Sequence, residues 1–325
     1  MPIERHRPGC ALLLILAAGV ACGQPRSEFV DPTATGPGIR PLLELPGATL
    51  RDLRHFVAID SSSSNGFLYL HLAGSGGLPE NSQRLALFAA ARGYATVSLA
   101  YPNWPSVAAL TGSLGDPAAP GAVRAERLFG VDASALVEVD AANSVANRLV
   151  RLLLHQHAAH PAEGWDRFLD GDQPRWSRIV VGGHSQGAGH AAYLAQEFPL
   201  AGALLLAGPG DAVAGAGVAS WLLRPLRITP TGVYGLVHQL DPDFAFFQIT
   251  QGVLGLDQGG PSQDIDLVAP ANWRANRLTS SRTDIPGGNV HGAVAVDAHL
   301  PPPPGYDAAW AYMLGVALFR NDFED

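Results

Sequence analysis

The chain has 325 residues, of which 47% are hydrophobic and 15% charged, so it carries enough apolar mass for a large core and too little charge to stay disordered. Its formal net charge is -8 and all 21 basic residues are arginine, which excludes Schiff-base chemistry, a pyridoxal-phosphate lysine, a P-loop lysine and a Ser-Lys dyad. An acidic balance without basic clusters also points away from nucleic acid as a partner.

Residues 1–22 read as an export signal: Arg5, His6 and Arg7 form a short basic region, 11–18 are apolar but too short to span a bilayer, and small residues run on to Cys22. The expected location is therefore outside the cytoplasm of a bacterium: periplasmic, tethered to the membrane, or secreted. Only Cys10 and Cys22 are present, and Cys10 lies in the signal, so no internal disulfide is expected. Cys22 directly after Gly19-Val20-Ala21 resembles the lipobox of bacterial lipoproteins, with Gly19 where leucine is usual. Lipid attachment at Cys22 and simple cleavage near it are the two alternatives. Residues 23–47, rich in Pro, Gly and Thr without periodicity, read as a tether, and 48–325 as one domain.

Apolar runs of strand length then recur at 55–59, 66–72, 94–99, 178–182, 200–206, 232–237 and 276–281. Segments with helical spacing lie between and after them, at 81–92, 139–157, 187–198 and 306–320. Alternation of this kind predicts an α/β fold with a mainly parallel central sheet and helices on both faces. Residues 102–140, punctuated by Pro105, Gly112, Gly115, Pro117, Pro120 and Gly121, read as a loop-rich excursion that either overhangs a site or lies on the surface.

The richest segment is Gly183-His184-Ser185-Gln186-Gly187, between an apolar strand and a helical stretch. Strand, sharp turn and helix with a serine at the apex make a nucleophile elbow, where small flanking residues prevent collisions. Serine is a poor nucleophile unless a histidine accepts its proton and a carboxylate holds that histidine in the right tautomer. On a parallel sheet these follow in the order Ser, acid, His. Asp241 stands just past the run 232–237, and His291 lies in the glycine-rich loop 284–292, giving Ser185 as nucleophile, His291 as base and Asp241 as acid. Asp211, one strand earlier, is the alternative acid, with Asp243 behind it; His299, before four prolines, is the weaker base, and His184 is expected to pack beneath the turn. For the oxyanion, one amide comes from Gln186 and a second from Ser75 or Gly76, in the turn Ala73-Gly74-Ser75-Gly76-Gly77 after a central strand.

With these residues in place the chain resembles the α/β-hydrolase superfamily over about residues 48–320. It is also similar to a little-characterised group of exported bacterial serine hydrolases, through His71-Leu-Ala-Gly-Ser-Gly-Gly77, Ala100-Tyr-Pro-Asn103, Asn147-Arg-Leu149, Trp176 and Gly183-His-Ser-Gln-Gly-Ala-Gly-His190. The resemblance implies a carboxylesterase-like enzyme that needs no cofactor, acts on a small-molecule or polymeric ester, and forms an acyl-enzyme. A polyester depolymerase or acyltransferase on the same triad, and a non-catalytic binding module, are the alternatives, because fold does not fix function. The lack of disulfides and of a long apolar lid helix departs from the lipase pattern.

Other groupings carry less. His155 and His157 point about 200° apart on a helix, so only His157 and His160 share a face, and no metal site is expected. Asp257, Asp264 and Asp266 lack calcium-loop spacing and read as solvated loop carboxylates. Trp104 is read as packing, with the lining of an acyl pocket as its second reading.

Overall fold

The computed structural model describes residues 25–44 and 51–315. One nine-stranded sheet organises them: β1 (Arg26–Val30), β2 (His55–Ile59), β3 (Leu68–Leu72), β4 (Ala95–Leu99), β5 (Ile179–His184), β6 (Gly202–Leu206), β7 (Val233–His238), β8 (Gln263–Asp264) and β9 (Arg277–Ser280), in the order β1-β2-β4-β3-β5-β6-β7-β9-β8. β2 runs antiparallel to both β1 and β4, and the remaining pairs are parallel.

Parallel neighbours need crossovers, and helices supply most of them. Between strands lie α1 (Gln83–Ala90), α2 (Val107–Thr111), α3 (Ala119–Phe129), α4 (Val145–Ala159), α5 (Gln186–Glu197) and α6 (Phe244–Val253), and α7 (Asp307–Leu314) follows the last strand; β6 reaches β7 without an α-helix. The central strands are apolar on both sides because both sides are covered. Leu68, Leu70 and Leu72 of β3 pack with Leu149 and Leu153 of α4 and Ala191 of α5, whereas Tyr69 faces Leu85 of α1 and Trp310 of α7. This mainly parallel sheet with helices on both faces is the α/β architecture expected from the sequence.

Three expectations change. The tether assigned to 23–47 does not hold for the residues described there: Arg26–Val30 is the outer strand of the sheet, and Arg26 donates to both carboxylate oxygens of Glu163 at 2.6 Å. The domain therefore begins well before residue 48. An edge strand in which only Val30 is buried, and Phe29 stays 36% exposed even while touching Phe56, needs no apolar run, so R-S-E-F-V gives little signal. Residues 102–140 hold α2 and α3, so they are not simply loop. Pro120 sits in the first turn of α3, where its missing N–H costs nothing. Gly121 leaves room for Trp221, whose Cβ would lie 3.2 Å from an added methyl. Helix α6 is a third departure; its D-F-A-F-F run is apolar without a clean period and gives no helical signal. The export signal, Cys22 and residues 316–320 of the last predicted helix lie outside the described residues.

Four buried histidines stay uncharged in the folded chain, among them His190, which burial and then Arg124 and Arg127 hold well below its ordinary value. Burial, reinforced for His55 by Arg148 and for His71 by His184, pushes both down to about 3. Burial and then the nearby His291 push His184, at the end of β5, down to about 4. Each folded value lies below the ordinary 6.5, so the unfolded chain takes up the extra protons as the pH falls. Their contribution is complete above about pH 6.5 and is lost progressively toward pH 3 to 4. Asp297, pushed up to about 6 by burial, opposes this with one proton against four. Urea unfolding should therefore give a stability lower at pH 5 than at pH 7 by on the order of 6 kcal/mol, with an unchanged m-value. Equal stability at the two pH values would contradict buried neutral imidazoles.

Candidate active site

The chain makes its sharpest turn where β5 gives way to α5. Ser185 has φ 55° and ψ -114°, a region that a residue with a side chain occupies only when its surroundings hold it there. The Ser185 amide donates to Leu206 O at 2.8 Å, and the Ala188 amide to Ser185 O at 3.0 Å. The flanking glycines are required by contact. A Cβ on Gly183 would collide with the backbone of Gly187, and one on Gly187 with the carbonyl of Leu72. The elbow is thus pressed against the end of β3, which brings Ser185 beside the Ala73–Gly77 turn.

On one side of Ser185 lie the two residues expected to complete the set. His291 Nδ1 is 2.7 Å from Asp241 Oδ2; the acid's side chain is 1% exposed and the histidine's 33%. Burial tends to raise the Asp241 pKa, but hydrogen bonds from His291 and from the Asp243 amide at 3.0 Å outweigh it and hold it below the ordinary value. A buried carboxylate at Nδ1 fixes the tautomer in which Nε2 is free to accept a proton. No hydrogen bond joins Ser185 to His291 among the described residues, a looseness common before substrate binds. Two further histidines position this pair. His184 Nε2 donates to the backbone carbonyl of His291 at 2.9 Å, from the Nε2–H tautomer of a ring that burial keeps uncharged. His238 ends β7, donating from Nε2 to Arg282 O at 2.8 Å and accepting at Nδ1 from the Leu240 amide at 3.1 Å. It ties the Asp241 turn to the segment leading into the His291 loop.

On the other side, the glycine turn is held from outside, leaving its amides facing inward. Tyr101 donates to Ala73 O at 2.5 Å, and Asn103 Nδ2 to Gly74 O at 3.1 Å and Gly77 O at 2.7 Å. The Ser75 and Gly76 amides donate to no protein acceptor among the described residues, and the Gln186 amide opens α5, where no intrahelical acceptor exists. Together they leave three amides free around Ser185.

The side chain of Gln186 carries a role that its position as a flanking residue does not announce. It is 6% exposed, accepts from the Val107 amide at 2.8 Å and Arg127 at 2.9 Å, and donates to Asn103 O at 2.9 Å. Burial pushes the Arg127 guanidinium down to about 10. Arg124 reaches the same place, donating to Gln186 O at 3.0 Å and forming a two-pronged pair with Asp211 at 2.6 and 2.7 Å. Trp221 Nε1 adds a bond to Asp211 at 2.7 Å. Thus α3, inside the segment read as a loop, buttresses the elbow. Arginines one turn apart on an amphipathic stretch are a normal solvated pattern, and nothing in sequence marks them as buried.

Asp211 is therefore committed to Arg124 and Trp221, and Asp241 is the carboxylate on His291. His299 lies against Gly292, outside this pair. Two cavities of ≈ 330 and ≈ 270 Å³ meet at Ser75, Ser185 and His291. The larger is lined by the glycine turn with Asn81, Ser82 and Val296, the smaller by residues of α2 and α6. Trp104, 51% exposed, lines neither, contrary to its second reading. His157 and His160 lie near Asp166 and Glu28 at 3.4 and 3.6 Å, and Asp266 accepts from Ser280 at 2.7 Å.

No protein-family model matches the sequence, and no curated protein does. Solved structures similar to this chain include the following two. A Klebsiella pneumoniae subsp. pneumoniae protein described as a dienelactone hydrolase is 13% identical, with a TM-score of 0.40, over 91% of this chain and 99% of that one. A bacterial heroin esterase is 17% identical, with a TM-score of 0.41, over 92% of this chain and 86% of that one.

Asp211→Asn leaves Arg124, 1% exposed, without its counter-charge, and should lower unfolding stability by about 3 to 5 kcal/mol. Chemical denaturation of this variant beside wild type checks it; a loss below about 1 kcal/mol would mean that the pair does not hold the elbow.

Proposed function

We propose that this chain is a serine hydrolase that cleaves carboxylic esters through an acyl-enzyme. The observation that carries the reading is the 2.7 Å contact between His291 and the buried Asp241 on the cavity that also holds Ser185. In this reading, His291 Nε2 takes the Ser185 proton as Oγ attacks the ester carbonyl, and Asp241 stabilises the resulting imidazolium without itself accepting the proton. The oxyanion settles between the Gln186 amide and that of Ser75 or Gly76, each contributing about 3 kcal/mol of barrier reduction. His291 then gives its proton to the leaving alkoxide. In the second half, it takes a proton from water as that water attacks the acyl carbon, and returns it to Ser185 Oγ on release of the acid.

Hydrolysis of p-nitrophenyl acetate tests the assignment. Ser185→Ala should reduce kcat by roughly 10⁴-fold or more while leaving the fold unchanged, and Asp241→Asn by roughly 10⁴-fold through the wrong tautomer. Retained turnover in Ser185→Ala, or a smaller kcat loss in Asp241→Asn than in folded Asp211→Asn, would overturn these roles.

A further inference from the structure

The smaller cavity carries one charge that the reaction does not use. Besides Ser185 and His291 it is lined by Ser106, Val107, Ala207, Gly210, Asp243 and Phe247, and by the Arg124–Asp211 pair. Arg124 and Asp211 cancel at 2.6 Å, and His291 faces its own Asp241. Asp243 stands at the N-cap of α6, where an aspartate ordinarily folds back onto the first turn's amides, yet its side chain makes no capping bond. Its carboxylate has no hydrogen-bond or ion-pair partner among the described residues; only its main chain is engaged, the amide on Asp241 and the carbonyl on the Phe247 amide. One turn on, the Phe247 ring lines the same cavity, with its centroid 6.1 Å from that of His291. A solvent-exposed, unpaired carboxylate and an aromatic ring lining one otherwise neutral chamber have the chemistry of an ammonium receptor: Coulomb attraction from the first and a polarisable aromatic surface from the second.

We propose that the cavity beside α6 selects esters bearing a quaternary or tertiary ammonium group, with Asp243 and Phe247 as the specificity residues. The inference rests on the ester-hydrolase reading and names its substrate class. A carboxylate-bearing ester is disfavoured by the same charge. The acidic chain as a whole, at -8, adds to the field that draws cations and repels anions.

The test compares charged esters with neutral ones of the same shape: acetylcholine against 3,3-dimethylbutyl acetate, and glycine betaine methyl ester against methyl 3,3-dimethylbutanoate. The readout is the charged-to-neutral ratio of kcat/KM in wild type divided by that in Asp243→Asn, which removes differences in intrinsic reactivity. In at least one pair this quotient should be roughly five- to tenfold at low ionic strength and shrink in 0.5 M salt. Phe247→Leu should lower it in part. Choline and 3,3-dimethylbutanol binding to the Ser185→Ala protein, followed by NMR titration, supplies a readout without turnover. A quotient near one in both pairs, with the neutral esters hydrolysed, would overturn the ammonium inference and leave the esterase reading standing. Choline preference lost in Ser185→Ala/Asp243→Asn, with no ester turned over, would support the receptor and overturn the esterase reading. No preference and no turnover would overturn both.

Discussion

The close approach of α5 to the end of β3 is the constraint on which the rest of the site depends. Gly187 can lie against the Leu72 carbonyl only because it has no side chain, and Gly183 makes the same concession toward Gly187. That contact forces Ser185 into a positive-φ conformation and sets its side chain beside the turn that follows β3. The strain, of order 1 to 3 kcal/mol, persists because the sheet and helix on either side over-determine it. Hydrogen bonds tie the elbow down: the Ser185 amide donates to Leu206 O, the Val107 amide to the Gln186 side chain, and Arg124 to Gln186 O. Ser185, the free amides of the glycine turn and the His291 loop therefore meet as a consequence of how two strand ends and one helix pack.

Three aspartates near the site illustrate how environment divides one residue type into different tasks. Asp241 is buried and holds His291; Asp211 is buried and neutralises Arg124 beneath the elbow; Asp243 is exposed and unpaired on the cavity it shares with Ser185. The first orients, the second supports, and the third gives the cavity its charge. Only the partner of each carboxylate, and not its place in the sequence, distinguishes them.

Much of this is legible from residue order. The elbow shows in sequence because its glycines are imposed by local geometry, and the central strands because they are apolar on both faces. Asp241 and His291 are visible for a related reason: each follows a recognisable strand on a short turn. What sequence cannot separate is Asp241 from Asp211, since both follow strands and the choice depends on a long-range pairing with Arg124. Helix α3 is hidden because Pro120 and Gly121, ordinary loop signals, serve there as a helix start and a packing gap. Strand β1 is hidden because it is an edge strand in which only Val30 is buried and the polar Arg26, Ser27 and Glu28 break any apolar run. The supporting roles of Gln186, His184 and His238 depend on which backbone carbonyls and amides come within reach, and these belong to the fold.

The central claim is that Ser185 is an activated nucleophile, and covalent labelling tests it most directly. Purified protein should react with a fluorophosphonate probe, and peptide mapping should place the adduct on Ser185 alone, with labelling abolished in Ser185→Ala and greatly slowed in His291→Ala. Absence of labelling on folded protein, or an adduct on a different serine, would contradict the account.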